Sequence, residues 1–338
     1  MDEQQNLPGT GKDPMADMLA LLASAPEDQL LSGQRMAETL GITRMAVCSR
    51  IQRLAQAGWR VEAVPRRGYR LVRGDRLDPV LWQGALDTAA LGRGEVYFAH
   101  VLPSTNLQLK AMAVGGAPHG SLCLAEQQTA GKGRLGRTWH SPAGEGLWVS
   151  VLLRPDLPPA HAPLLTLCAS MAMADGVAET WGEGLGIKWP NDLVLAGKKV
   201  CGILTEVAMD PDGVDYVVVG TGLNIRRGAY PPELSHQATS LEDHGAVPLR
   251  RRVLAAYLHY LEKWTALLVQ HGPQPLIQAY GPRCVTLGKR VNVSGAITFT
   301  GVAEGLREDG SLLVRREDGT LQPVLSGDVS VRGVMGYV

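Results

Sequence analysis

Apolar residues first recur at helical spacing near the N-terminus. Met18, Leu19, Leu21 and Leu22 form a stripe that ends near Pro26, so a helix is expected from Pro14. Ser32 stands where an N-cap belongs, ahead of Gly33-Gln34-Arg35-Met36-Ala37-Glu38-Thr39-Leu40, and Gly41 can close that helix in the left-handed conformation. Thr43 caps a third helix reaching about Ala57, in which Val47, Ile51 and Leu54 share one face. Gly58 stops it. Two short strands follow, over 60–64 and 69–72, around the turn Pro65-Arg66-Arg67-Gly68. Three helices and a hairpin in that order predict a winged helix-turn-helix.

From Leu77 the pattern alternates. Strands are expected over 95–100, 120–126, 147–153, 200–209 and 216–223, and helices over 106–113, 163–181 and 249–270. This is a mixed α/β domain with an extended sheet. Past Cys284 only short strands remain, over 290–293, 297–303, 312–316, 321–324 and 329–332, with hairpin turns at Asp309-Gly310 and Asp318-Gly319. They predict a small SH3-like β-barrel. The fold class is therefore α+β: a disordered tail over 1–14, a winged helix-turn-helix over 15–74, a mixed α/β domain over 75–283 and a C-terminal SH3-like β-barrel over 284–338.

Charge changes this picture only locally. Lys+Arg and Asp+Glu balance at 33 each, so net charge names no partner. Within 43–73, however, Arg44, Arg50, Arg53, Arg60, Arg66, Arg67, Arg70 and Arg73 face Glu62 as the only acid, an excess suited to phosphate contacts. Solubilising a small domain is the rival use of those arginines. The five cysteines lack paired spacing, which argues against a disulfide framework or a zinc ribbon and for a reducing cytoplasm. The N-terminus lacks the apolar core of a signal peptide, and no run of about 18 apolar residues predicts a membrane span.

The densest chemical signal is Gln127-Gln128-Thr129-Ala130-Gly131-Lys132-Gly133-Arg134-Leu135-Gly136-Arg137-Thr138-Trp139. Gly131, Gly133 and Gly136 match G-x-G-x-x-G, but a dinucleotide fingerprint must open a helix, and Ser141-Pro142-Ala143-Gly144-Glu145-Gly146 cannot be one. A P-loop is absent too. A glycine loop bearing Lys132, Arg134 and Arg137 suits another task. Joining a carboxylate to the α-phosphate of ATP brings two anions together, and cations must neutralise them first. A mobile basic surface loop is the rival reading.

Four further segments carry candidate chemistry. In Ile187-Lys188-Trp189-Pro190-Asn191-Asp192, Lys188 ends a strand before a proline turn and could bridge a carboxylate and a phosphate oxygen. Asn191 could stand near a nucleotide, and Asp192 could turn the chain or help place Mg2+. Ser104 and Thr105, before a short helix, could cap it, hold a small polar head, or both. Gly202, inside Gly197-Lys198-Lys199-Val200-Cys201-Gly202, permits close approach of a ligand, with Lys199 read as a solvated turn residue. Asn224, at the end of Val219-Gly220-Thr221-Gly222-Leu223-Asn224, could read an adenine edge or form a turn. The histidines are scattered and none is assigned a role; no metal-ligand pair stands out.

Together these segments resemble bifunctional biotin protein ligases of the biotin operon repressor type, over nearly the whole chain from about Met15. The motifs that carry the resemblance are Ser104-Thr105-Asn106, Gln128 with Gly131 to Arg137, Lys188-Trp189-Pro190-Asn191-Asp192, Gly202-Ile203-Leu204-Thr205-Glu206 and Gly222-Leu223-Asn224-Ile225. The resemblance implies that the central domain is of the biotin/lipoate ligase type. It implies that ATP activates biotin as biotinyl-5′-adenylate, with Mg2+, and that biotin then passes to a lysine of a biotin carboxyl carrier protein. Lys188 and Arg134 would be catalytic. Biotin would meet Ser104, Thr105, Asn106, Gln128, Lys132, Gly133, Arg134, Lys188 and Gly202. The nucleotide would meet Arg134, Arg137, Trp139, Asn191 and Asn224. Operator DNA would meet Thr43, Arg44, Met45, Ser49, Arg53, Arg66 and Arg67, bound by a homodimer that the adenylate favours.

The chain departs from that family at Lys132, where an arginine is common, and at Cys48 and Ser49, where bulkier or basic residues are common. Lys132 keeps the charge without the bidentate fork. Three alternatives stay open on the sequence: a lipoate-attaching ligase, a biotin sensor that no longer turns over, and a ligase whose DNA-binding domain is vestigial. Lipoate lacks the ureido head that the Ser-Thr-Asn cluster and Gln128 would serve.

Overall fold

Caps and glycines set the first elements of the computed structural model, which describes residues 14–338 apart from 212, 296–297, 326–328 and 334–338. The expected tail over 1–14 therefore lies outside the described residues except for Pro14, which opens helix α1 (Pro14–Ser24). Ser32 Oγ accepts the Arg35 N–H and starts α2 (Gly33–Leu40), which Gly41 ends at φ 62°. Thr43 Oγ1 accepts the Ala46 N–H and starts α3 (Arg44–Gln56). Each cap supplies an acceptor to an otherwise unpaired N–H, worth about 1 kcal/mol. Strands β1 (Val61–Val64) and β2 (Gly68–Leu71) pair antiparallel, Val61 opposite Leu71. Leu31 joins them by exchanging two backbone hydrogen bonds with Tyr69. Met18, Leu22, Met36, Val47, Ile51, Leu54 and Trp59 are buried. This is a winged helix-turn-helix with the expected element order.

The chain divides into two compact units, Met1–Ala85 and Leu86–Val338. The first extends past the wing because Arg76 stacks 4.2 Å over the Trp59 ring and donates to Gly58 O at 3.0 Å.

The second unit is built on one seven-stranded sheet in the order β3-β4-β5-β9-β8-β7-β6. Its members are β3 (Val96–Leu102), β4 (Leu122–Gln128), β5 (Gly146–Leu153), β6 (Gly186–Lys188), β7 (Asp192–Leu195), β8 (Lys198–Asp210) and β9 (Gly213–Asn224). Only β3 and β4 pair in parallel. Helix α4 (Thr105–Val114) bridges them and buries Leu109 and Ala113 against Cys123, Ala125, Leu152 and Val218. The alternate residues of β9 face the other way, where Thr221 Oγ1 meets Tyr257 OH at 2.8 Å. Tyr257 belongs to α6 (Arg250–His271), which packs on α5 (Leu164–Trp181). With helices on both faces, β5 is buried along its whole length.

Two elements were not expected from the sequence: β7, which pairs Asp192 opposite Lys188, and α7 (Pro273–Tyr280). Past Cys284 lie β10 (Arg290–Gly295), β11 (Phe299–Leu306), β12 (Leu312–Arg316), β13 (Leu321–Val324) and β14 (Val329–Gly333). They form an antiparallel sheet in the order β13-β12-β11-β10-β14. Among the described residues no pairing closes β13 onto β14, so the expected barrel is an open sheet there. This region supports the end of β6: Val285 N donates to Ile187 O at 2.9 Å, Trp189 N to Thr286 Oγ1 at 3.0 Å and Trp189 Nε1 to Gly310 O at 3.0 Å.

Candidate active site

Lys188 ends β6 with only 5% of its surface exposed. It is held there by the Trp189 anchors just described. An ammonium group shielded from water interacts with a nearby anion more strongly than one in bulk solvent. Lys188 lines a cavity of about 320 Å3, together with Arg134, Arg137, Trp139, Asn191, Asp192, Asn224 and Tyr230.

A second, smaller slot of about 50 Å3 adjoins it. The slot is lined by Ser104, Thr105, Asn106, Gln128, Lys132, Gly202, Gly220 and Gly222. Gly133, Arg134, Trp139, Asn191 and Lys199 line both spaces. The residues expected to hold the acid and the nucleotide thus meet along one shared wall. The seven DNA-directed candidates, Thr43, Arg44, Met45, Ser49, Arg53, Arg66 and Arg67, are all exposed on the first unit.

Ser104, Thr105, Asn106 and Gln128 each find a hydrogen-bond partner within the protein. Ser104 Oγ caps α4 by accepting the Leu107 N–H. Gln128 Oε1 accepts from Thr105 N at 2.8 Å and Thr105 Oγ1 at 3.1 Å, while its amide donates to Ser141 Oγ at 2.8 Å. Asn106 Nδ2 donates to Glu206 Oε2 at 2.7 Å, and Asn106 Oδ1 accepts from Ser150 at 2.6 Å. Lys110 pairs with Glu206 at 2.6 Å. A Cβ at Gly220 would collide with Asn106 Oδ1, and one at Gly222 with the Trp139 indole. The glycines of β8 and β9 therefore make room first for the protein's own side chains. The Trp139 Nε1–H is buried there without a partner.

The cationic loop is folded back on itself rather than open. Lys132 bridges Thr138, Gly133 N donates to Arg137 O at 2.7 Å, and Trp139 N donates to Gly131 O at 2.9 Å. Leu135 at φ 56° and Gly136 at φ 71° make the turn, and a left-handed leucine costs about 1–2 kcal/mol. Arg134 reaches inward and donates to Asn191 Oδ1 at 3.1 Å. Burial lowers the pKa of its guanidinium, Asp192 opposes that shift and Arg137 adds to it. An arginine so desolvated gains more from an incoming anion than one in water. Asn191 Nδ2 donates to Ile203 O at 2.8 Å, and Asn224 Nδ2 to Thr239 O at 3.1 Å.

Several site residues escaped the sequence reading. Lys199 is no solvated turn residue: it pairs with Asp192 at 2.6 Å and lies 5.1 Å from the Trp139 ring centroid. Asp192 correspondingly starts β7 instead of turning the chain. Ser150 could have been noticed, as a lone hydroxyl in an otherwise apolar strand. Tyr230, Leu234 and Gln237 wall the larger cavity from a segment without periodicity, and Glu206 lies far along β8. Among the described residues no group of three or more His, Cys, Asp or Glu could hold a metal ion. No helix there is long and apolar enough to cross a membrane.

Comparison with known proteins agrees with this layout. Residues 98–224 match the biotin/lipoate A/B protein ligase family, 286–332 the biotin protein ligase C-terminal domain and 15–70 an HTH domain. The bifunctional ligase/repressor BirA of Bacillus subtilis is 35% identical over 93% of this chain and 98% of its own. That of Escherichia coli is 31% identical over 93% and 97%. A biotin protein ligase from Aquifex aeolicus, solved with biotin and ATP, superposes with a TM-score of 0.62 at 29% identity, covering 71% of this chain and 99% of that one.

Proposed function

Because this chain belongs to the bifunctional ligase/repressor family of biotin protein ligases, we propose that it joins biotin to AMP across the shared wall of its two cavities. It is a biotin ligase that uses ATP and carries a DNA-binding repressor domain. The observation that carries the residue assignment is the placement of Arg134 on both spaces, with buried Lys188 on the larger. Biotin suits the slot chemically: Thr105, Asn106 and Gln128 offer donors and acceptors to a ureido head, while the glycine floor accepts an apolar ring. The triphosphate takes the larger cavity, with its base toward Asn224.

In the first step a biotin carboxylate oxygen attacks the α-phosphorus, forming the mixed anhydride and expelling pyrophosphate. Lys188 and Arg134 offset the negative charge that gathers as the two anions meet, a contribution strongest in a site shielded from water. In the second step a neutral lysine amine of the carrier protein attacks the acyl carbon. An amide forms, AMP leaves and the amine's proton is released. Arg134, Arg137 and the folded loop shield the anhydride between steps, with Lys132 and Trp139 closing the slot.

When bound with the triphosphate, Mg2+ would supply charge neutralisation. Asp192 is the carboxylate in the larger cavity's wall that would hold it, and magnesium commonly needs only one or two protein carboxylates. The working division is 15–74 for DNA, 75–283 for catalysis and 284–338 for support of the Lys188 strand. The five cysteines carry no disulfide, which suits the cytoplasm.

The first unit reads DNA through the exposed face of α3 and the Arg66-Arg67 wing turn, as an adenylate-bound homodimer. Arg66→Ala and Arg67→Ala should each weaken retardation of upstream DNA and reduce the salt slope by about 1. Retention equal to wild type at every salt concentration would make that unit vestigial. For the enzyme, the test is modification of a biotin carboxyl carrier domain. A mass gain on its lysine is expected with biotin and MgATP; equal transfer of lipoate would contradict the slot assignment.

A further inference from the structure

Ser150 is fully buried and does not line the slot, yet it touches two residues that do. Its place follows from sheet register. Ser150 on β5 stands opposite Gly220 on β9, and Gly220 stands opposite Leu204 on β8. Gly220 leaves a gap in that row, and the Asn106 amide lies across it, where a Cβ would collide with Oδ1. On the β8 side Asn106 Nδ2 donates to Leu204 O at 3.3 Å and to Glu206 Oε2 at 2.7 Å. A carbonyl and a carboxylate only accept, so both amide hydrogens are committed there. Oδ1 is therefore the end toward Ser150, 2.6 Å from its Oγ.

The contacts run on past Ser150. Its Oγ lies 2.7 Å from Thr105 Oγ1, which lies 3.1 Å from Gln128 Oε1. The Gln128 orientation is fixed too, because Oε1 accepts the Thr105 backbone N–H at 2.8 Å. Four oxygens thus stand in a row: a carbonyl, two hydroxyls and a carbonyl. Three contacts join them, but only the two hydroxyls bring hydrogens. In every arrangement one contact lacks a hydrogen. Thr105, Asn106 and Gln128 all line the slot. A ligand N–H given to either carbonyl frees a hydroxyl hydrogen for the contact that lacks one. A ligand acceptor takes a hydroxyl hydrogen and leaves two contacts without.

We propose that Ser150 is a positioning residue that sets the slot's preference for a ligand head bearing N–H donors over one bearing only acceptors. The proposal rests on the reading of the slot as the biotin pocket and deepens it. Without the Ser150 hydroxyl the row is cut to one contact and one hydrogen. Thr105 can then turn its hydrogen to a ligand acceptor, because Gln128 Oε1 keeps the Thr105 backbone N–H.

The test uses the full chain, wild type and Ser150→Ala, in calorimetric titrations with biotin and with its two cyclic carbamate analogues, in which oxygen replaces one ureido N–H or the other. Biotin-dependent pyrophosphate exchange follows. Wild type should prefer biotin to at least one carbamate by about 100-fold, the cost of a lost N–H and of a lone pair brought against an acceptor. In Ser150→Ala that ratio should fall about 10-fold, as carbamate binding gains and biotin binding weakens. The biotin KM should rise while the ATP KM stays near wild type. Ser150→Cys, which keeps a weak S–H donor, should give an intermediate ratio, so the proposal stays testable if Ser150→Ala fails to fold.

A wild-type biotin-to-carbamate ratio in both variants, or equal losses for biotin and both carbamates, would overturn the proposal and leave Ser150 a core residue only. Wild type that binds biotin and both carbamates alike, or none of them, would overturn it as well. If exchange requires biotin but the ratio does not move, the ligase reading stands and the role of Ser150 fails. If the ratio moves as expected yet wild type shows no biotin-dependent exchange, the ligase reading fails and the positioning role stands.

Discussion

The slot beside α4 measures about 50 Å3 and its Ser, Thr, Asn and Gln side chains bond within the protein, whereas the cavity beside Lys188 measures about 320 Å3 and the Tyr230 hydroxyl of its wall donates to Asp243 at 2.7 Å. Asn106, Gln128, Ser150 and Glu206 are mutually satisfied, and Trp139 lies on the glycines. A ligand entering the slot must exchange these bonds and shift that indole. A ligand entering the cavity meets Tyr230, bonded to Asp243, and Asn224, bonded to the Thr239 carbonyl. The first half trades internal hydrogen bonds for external ones, a small net gain per bond, while the second spends little on ordering. Biotin selectivity should therefore be sensitive to small steric changes.

The largest expected effect comes from Lys188→Ala, which removes a buried cation of the cavity. Adenylate formation should fall by about 10²–10³, with binding of biotin little changed. Pyrophosphate exchange beside biotin titration separates the two, and equal losses in both would dissolve the distinction between the spaces.

Next comes Gly220→Ala. Its Cβ would displace Asn106 Oδ1, so biotin affinity should drop by roughly 10- to 100-fold as that network breaks. Calorimetry should show ATP binding unaltered; a matching ATP loss would mean the spaces are not independently built. Arg134→Ala, on the shared wall, should speed adenylate escape by about 10-fold, since it removes one charge-assisted contact. Trapping of released adenylate checks this, and unchanged retention would remove the clamp role.

The smallest effect is expected outside both spaces. Burial lowers the His119 pKa, with Glu262 opposing, and its Nδ1 accepts the Arg154 N–H at 2.9 Å. A depressed histidine keeps its stabilising contribution above the unfolded value, near 6.5, and loses it as pH falls. Thermal midpoints should thus decline on acidification, less so in His119→Asn, with both ligand affinities unaffected. An identical acid profile in the variant would assign that sensitivity elsewhere.

How much of this was legible depends on whether a signal is local. Ser32, Gly41 and Thr43 mark helix ends by their own chemistry, and all three act as expected. The glycine-arginine loop and the Lys188-Trp189-Pro190 run are short enough to read directly. Strand β7 is four residues between two turns, too brief for periodicity, and Pro273-Gln274-Pro275 hides α7 behind apparent breakers. Lys199 looked like a turn residue because Gly197-Lys198 precedes it. Only the pairing of Asp192 with Gly202 folds β8 back along β7, and Lys199 then lies beside the Asp192 carboxylate. Ser150 and Glu206 likewise acquire their roles from residues tens of positions away. Such partners follow from sheet register, which no short window contains.

The measurement that bears most directly on the central claim is isotope exchange between pyrophosphate and ATP in the full-length chain, with biotin or lipoate as the acid. Exchange that requires biotin, is not supported by lipoate and nearly vanishes in Lys188→Ala is the result expected. Exchange without any acid, or undiminished exchange in Lys188→Ala, would contradict the claim that these adjoining spaces join a carboxylate to AMP.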